Sequence, residues 1–69
     1  MSISEMVQKE VKRALSLLEE AENILNSTLN VLEGSEDEFS EKLYEGLNYF
    51  SDKITWLRHD LKAFIRRML

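Results

Sequence analysis

The sequence predicts an all-α protein, an antiparallel hairpin of two long helices that dimerises into a four-helix bundle. Two stretches repeat apolar residues at alternating spacings of four and three, which is typical of helices that pack against other helices. One short break at Gly34-Ser35 separates the stretches, and the chain has no proline to interrupt either of them. A small chain with two such stripes needs a partner to cover them.

The first stretch predicts a helix over about residues 3–33. Ser2 and Glu5 fit a capping box, in which each side chain bonds a free backbone N–H at the helix start. The expected seam is Val7, Val11, Ala14, Leu18, Ala21, Leu25, Thr28 and Leu32. Further apolar residues widen this stripe, with Ile3, Leu17, Ile24 and Val31 on one flank and Leu15 and Leu29 on the other.

The break between the stretches predicts a tight turn at residues 34–35. Gly34 suits a left-handed residue after the first helix, and Ser35 with Glu38 forms a second capping box. So short a connection folds the second helix back along the first. We therefore expect a single hairpin domain over residues 1–69, with the second helix over about 36–68.

The second stretch has the more regular pattern, because every position of its seam is apolar. That seam is Leu43, Leu47, Phe50, Ile54, Leu57, Leu61, Phe64 and Met68. Such an uninterrupted repeat resembles a coiled coil. We expect the oligomer interface to comprise Val11, Ala14, Leu18, Ala21, Leu25, Leu47, Phe50, Ile54, Leu57, Leu61 and Phe64.

Chain length supports oligomerisation. In 69 residues, the apolar area buried by one chain roughly cancels the conformational entropy that folding costs. The chain has no cysteine for disulfides and one histidine, so neither cross-links nor structural zinc would enlarge the core. A homodimer would do so, and its shape is similar to that of Rop-type hairpin dimers.

The charges are unevenly distributed along the hairpin. Residues 19–45 hold nine acidic side chains and one lysine, a net charge of −8. Residues 53–69 hold five basic side chains and one aspartate, a net charge of +4, and residues 1–18 add +1. The turn end is therefore acidic and the open end basic. This polarity predicts a homodimer whose two turns lie at opposite ends.

Two surfaces are candidates for binding a further partner. The basic residues Arg58, Lys62, Arg66 and Arg67 could contact nucleic acid, or could form a solvated flank that pairs with the acidic turn of a second copy. The acidic chain as a whole makes nucleic acid the less favoured reading, and membrane binding is less favoured still. Tyr49 and Trp56, one heptad apart, could dock another protein's helix or could form the edge of the core.

Catalysis, cofactors and metal sites find no support in the sequence. His59 falls on the polar side of the second helix, and Glu19, Glu20 and Glu22 are expected on an outer face. The favoured function is a non-enzymatic, homodimeric adaptor that displays its surfaces to another protein in the cytoplasm. The alternatives are a Rop-like regulator that binds RNA or DNA and a structural subunit of a larger assembly.

Overall fold

A computed structural model describes residues 2–68 of the chain, and it confirms the helical hairpin. Helix α1 (Ile3–Glu33) and helix α2 (Glu38–Met68) pack against each other along a rod 53 Å long. Within residues 2–68, neither helix is long and apolar enough to cross a membrane.

Helix α1 begins where the sequence places its cap. The Ser2 side chain accepts a hydrogen bond from the backbone N–H of Glu5 at 3.1 Å. The Met6 N–H donates to the Ser2 carbonyl, which closes the first turn. The Ser2 side chain therefore satisfies one free N–H group of the helix start, while its carbonyl accepts the first intrahelical hydrogen bond.

The turn differs from the one that the sequence predicts. Gly34 has a φ of −81°, so the expected left-handed conformation is wrong. Instead, the last turn of α1 tightens: Gly34 N–H donates to the Val31 carbonyl and Ser35 N–H to the Leu32 carbonyl. These bonds satisfy the end of the helix without a positive φ, and the connection has four residues rather than two.

Helix α2 begins at Glu38, two residues after the predicted start, because Asp37 rather than Ser35 caps it. One carboxylate oxygen of Asp37 accepts from the Ser40 N–H at 2.8 Å, and the other accepts from the Ser40 hydroxyl at 2.9 Å. These hydrogen bonds, the backbone one first, lower the pKa of Asp37 below its ordinary value. The near-complete burial of Ser40 shows how tightly this cap is packed.

The two helices contact each other through positions that also alternate by four and three. On α1 the positions of this line are Gln8, Val11, Leu15, Leu18, Glu22, Leu25, Leu29 and Leu32. On α2 they are Ser40, Tyr44, Leu47, Ser51, Ile54, Arg58, Leu61 and Ile65. Beside the line, Ala21 and Thr55 are also partly covered. Leu29, at 7% exposure, is the one hydrophobic residue of the described part of the chain that is buried. One hairpin alone therefore builds a thin core.

This contact line uses only half of each predicted seam. The covered half comprises Val11, Leu18, Leu25 and Leu32 on α1 and Leu47, Ile54 and Leu61 on α2. The other half lies open and comprises Val7, Ala14 and Thr28 on α1, with Ala21 partly covered, and Leu43, Phe50, Leu57 and Phe64 on α2. Met68, at the end of α2, is also exposed. Each helix is thus rotated about its own axis relative to its predicted seam. This rotation places polar residues such as Ser51 and Arg58 in the contact between the two helices.

Candidate interaction surface

Two polar contacts between the helices mark one side of the hairpin. The Ser51 hydroxyl donates to the Asn26 side-chain oxygen at 3.2 Å, and Arg58 Nε donates to a Glu22 carboxylate oxygen at 2.9 Å. On each helix these residues lie to the same side of the leucines that face the other helix. We call this side of the hairpin the polar side.

The open halves of the two seams lie together on the opposite side. Residues one heptad apart form a column along a helix. Residues four apart are neighbours on the helix surface and belong to adjacent columns, so each step of four residues toward the N-terminus turns around the helix in the same direction. From Ser51, one such step leads to Leu47, which faces the other helix, and the next leads to the exposed Leu43. From Leu15 the same steps lead through Val11 to Val7. Leu15 shares its column with Glu22, and Ser51 shares its column with Arg58. Since Glu22 and Arg58 meet on the polar side, the steps on both helices lead away from that side.

The result is one continuous surface, which we call the apolar face. Its larger side chains are Ile3, Val7, Leu17, Ile24, Val31, Leu43, Phe50, Leu57 and Phe64. Ile24, Phe50 and Leu57 are 59%, 58% and 56% exposed. At the open end of the hairpin this face includes a groove lined by Met6, Val7, Glu10, Val11 and Ala14. A face that runs the length of a small domain is typical of a binding surface rather than of scattered exposed residues.

The ion pair between Glu22 and Arg58 corrects the expectation that Glu22 lies on an outer face. Its side chain is 17% exposed and that of Arg58 is 21% exposed, whereas the exposed pair of Glu38 and Lys42 retains most of its accessible surface. The hydrogen bond from Arg58 lowers the pKa of Glu22, and the same bond raises the pKa of Arg58, in each case against the effect of burial. The pair holds a charged layer within the contact between α1 and α2.

The same ion pair changes the composition of the basic flank. Arg58 directs its guanidinium group at helix α1, so its charge is engaged within the chain. Lys62, Arg66 and Arg67 are exposed along the last two turns of α2. Three exposed cations remain, two of them beside the C-terminal carbonyls of the helix, which they also stabilise.

Tyr49 and Trp56 lie on the outer surface of α2, beyond the edge of the apolar face. Trp56 is 67% exposed. The Tyr49 ring meets the Phe50 ring edge to face, with centroids 5.3 Å apart, and Lys53 Nζ lies 5.2 Å from the Tyr49 centroid. Tyr49 is therefore held by neighbours on its own helix, while Trp56 is free to contact a partner.

Little else in the described residues resembles a chemical site. An open depression at the turn is lined by Leu32, Glu33, Ser35, Glu41, Tyr44 and Glu45. His59 is exposed. Among residues 2–68, no three histidines or carboxylates are grouped so that they could hold a metal ion.

Comparisons with known proteins do not assign the chain to a family. No family model matches it, and neither the curated proteins nor the solved structures contain a significant match. The physical character of the surface is therefore the basis for inferring function.

Sequence reasoning missed the charged layer, although its spacing was visible. Glu22 lies one heptad from both Leu15 and Leu29, and Arg58 lies one heptad from Ile65. A search for oppositely charged residues at heptad positions of the two predicted helices would have paired them.

Proposed function

We propose that this protein is a small, non-enzymatic interaction protein that functions as a homodimer, in which the apolar faces of two hairpins close on each other to form a four-helix bundle. The observation that carries the proposal is the half-covered seam of each helix. In a four-helix bundle every helix has two neighbours, and the residues between the two contact directions form the central core. In the single hairpin each helix has only one neighbour. The exposed half of each seam is the part of the helix that a second hairpin would cover.

The energetics favour closure. The nine larger side chains of the apolar face are on average about half exposed. Covering the exposed part of each of these side chains is worth about 1 kcal/mol for each one. This burial favours association and opposes the loss of translational and rotational freedom that association costs.

A second copy is the occupant that best fits this face. The face extends over both helices and has a heptad repeat, which is the pattern that another helical hairpin would match. A face that pairs with itself produces a closed, two-fold dimer and leaves no further apolar surface of this kind exposed. The opposite charges of the two ends of the chain also favour association with a copy of itself.

The dimer would act by display, as a rigid bundle that offers its outer surface to a further protein in the cytoplasm. Trp56 is the leading candidate for that contact, because aromatic anchors carry much of the energy of protein interfaces. The cysteine-free composition is compatible with a reducing compartment. The nucleic-acid alternative loses support because Arg58, the first residue of its basic flank, is paired with Glu22.

A pair of matched substitutions tests the proposal. Leu57→Asp places a charge on the apolar face, while Asn48→Asp places the same charge on an exposed position of α2 outside that face. In sedimentation equilibrium we expect Asn48→Asp to remain a dimer and Leu57→Asp to dissociate, because a buried unpaired charge is strongly unfavourable.

A milder variant separates association from folding. Leu57→Ala should raise the dimer dissociation constant at least tenfold while the circular dichroism spectrum at high concentration remains helical. If Leu57→Asp and Leu57→Ala both associate as tightly as Asn48→Asp, the apolar face is not the dimer interface.

A further inference from the structure

We infer that the two hairpins stack like helix on like helix, α1 on α1 and α2 on α2, with their turns at opposite ends of the bundle. This inference rests on the proposed dimer and specifies how its face is used. Two apolar faces can be related by a two-fold axis in only two ways. An axis across the helices stacks like helices and separates the turns, whereas an axis along them stacks unlike helices and brings the turns together.

The column of residues that lies beyond the open half of each seam has a different character on each helix. On α1 this column is Ile3, Glu10, Leu17, Ile24 and Val31, apolar except at one position. On α2 it is Phe39, Gly46, Lys53, Asp60 and Arg67, charged over its C-terminal half. In a closed bundle these two columns lie beside the open halves of the seams, at the edge of the contact between stacked helices, so their contents affect which helices are compatible as neighbours.

Stacking unlike helices would mismatch these columns. The contacts of Glu22 with Arg58 and of Asn26 with Ser51 fix which residues of the two helices share a level. A two-fold axis along the helices leaves the height of each residue along the rod the same in both copies. Ile24 of one copy would therefore face the region of Lys53 in the other. Leu17 would likewise face the region of Asp60. Each of these two contacts would bring a charged group against an apolar side chain, and among the charged residues of these columns Glu10 and Arg67 alone would meet as a pair.

Stacking like helices avoids the contacts of Ile24 with Lys53 and of Leu17 with Asp60. The apolar column of α1 then meets its own copy, and Leu17 and Ile24 lie near the middle of that contact. Leu17 shares a level with Asp60 and Ile24 with Lys53, so an axis between Leu17 and Ile24 crosses α2 between Lys53 and Asp60. In an antiparallel pair of α2 helices about this axis, the lysine of one copy comes close to the aspartate of the other on both sides of the axis.

The distribution of charge along the whole chain gives an independent argument for the same arrangement. The segment from residue 19 to 45, with its net charge of −8, occupies the turn half of the rod. Turns at opposite ends place it beside the basic residues near both termini of the second copy, and among these Arg66 and Arg67 are exposed. Turns at the same end would place two such acidic segments side by side.

A distance measurement on the intact dimer tests the orientation. The chain has no cysteine, so Ser35→Cys provides a single site for a spin label at the exposed turn. Pulsed electron paramagnetic resonance should give an inter-label distance close to the 53 Å length of the hairpin. With the turns together, the labels would lie within about 20 Å, because neighbouring helix axes are about 10 Å apart.

Ser4→Cys, at the open end of the rod, is the matched control. Labelled alone, it should also give the long distance, whereas a dimer mixed from Ser4→Cys and Ser35→Cys chains should give a short one. Dilution with unlabelled protein must remove every distance. A short Ser35 distance in a stable dimer overturns the orientation but leaves the proposed dimer intact. A labelled protein that sediments as a monomer overturns both.

Discussion

At the scale of single residues, the ion pair between Glu22 and Arg58 is the feature that most constrains the hairpin. Their side chains lie among the leucines that join the helices, where a charge without its partner would be poorly solvated. Because the two residues come from different helices, they meet in only one alignment of α1 with α2. The pair therefore favours one register, in the way that a buried polar residue does in a coiled coil.

A double-mutant cycle tests the importance of this pair. Glu22→Leu and Arg58→Leu should each lower the thermal unfolding midpoint, because each leaves one charge in the interface without its partner. The double variant should recover most of the loss, since two leucines pack there without charge. Circular dichroism melts at equal protein concentration would measure this. Additive losses in the double variant would show that the two side chains act independently.

The exposed pair of Glu38 and Lys42 is the control for that cycle. Their nitrogen and oxygen atoms are 3.4 Å apart, and both side chains remain largely in water. Lys42→Gln should change the free energy of unfolding by less than about 0.5 kcal/mol.

At the scale of the helices, the sequence was informative because periodicity and caps are local properties. The start of α1 depends on Ser2 and Glu5, which are close in sequence, and the hairpin follows from the short connection. The turn was harder to predict because Ser35 and Asp37 are both good caps. The two hydrogen bonds that Ser40 donates to the Asp37 carboxylate, and the burial of Ser40, favoured the later start.

The orientation of each seam could not be predicted in the same way. The apolar stripe of α1 is three or more residues wide around the helix. Several rotations of the helix about its axis would therefore still place apolar residues against α2. The choice between Leu57 and Arg58 as the inward residue depends on the contact with Glu22, which is 36 residues away. Interactions of this range are set by packing and not by local pattern.

Gly46 is a test at the scale of the helix. It lies in the interior of α2, and a Cβ atom added there would meet no atom of the hairpin within 4 Å. Gly46→Ala should stabilise the folded chain by about 0.5–1 kcal/mol, because alanine loses less conformational entropy in a helix than glycine. Urea unfolding monitored by circular dichroism would measure the change. A loss of stability would indicate that a second copy approaches α2 closely at this residue.

At the scale of the whole molecule, the hairpin resembles half of a bundle. Its polar side is closed by two cross-helix contacts, and its apolar face exposes a column of each seam. The acidic turn and the basic ends give the rod a charge polarity that an antiparallel second copy would neutralise. Trp56 lies on neither the polar side nor the apolar face, so it would remain available to another protein in such a dimer.

The most direct test of this account is sedimentation equilibrium of the unmodified chain at low and high salt. The account predicts a species of twice the 8.1 kDa chain mass, whose dissociation constant rises modestly with salt because the charges of the two copies are screened. Burial of the apolar face would keep the dimer associated at high salt. A folded chain that remains at 8.1 kDa across the micromolar range would contradict the account.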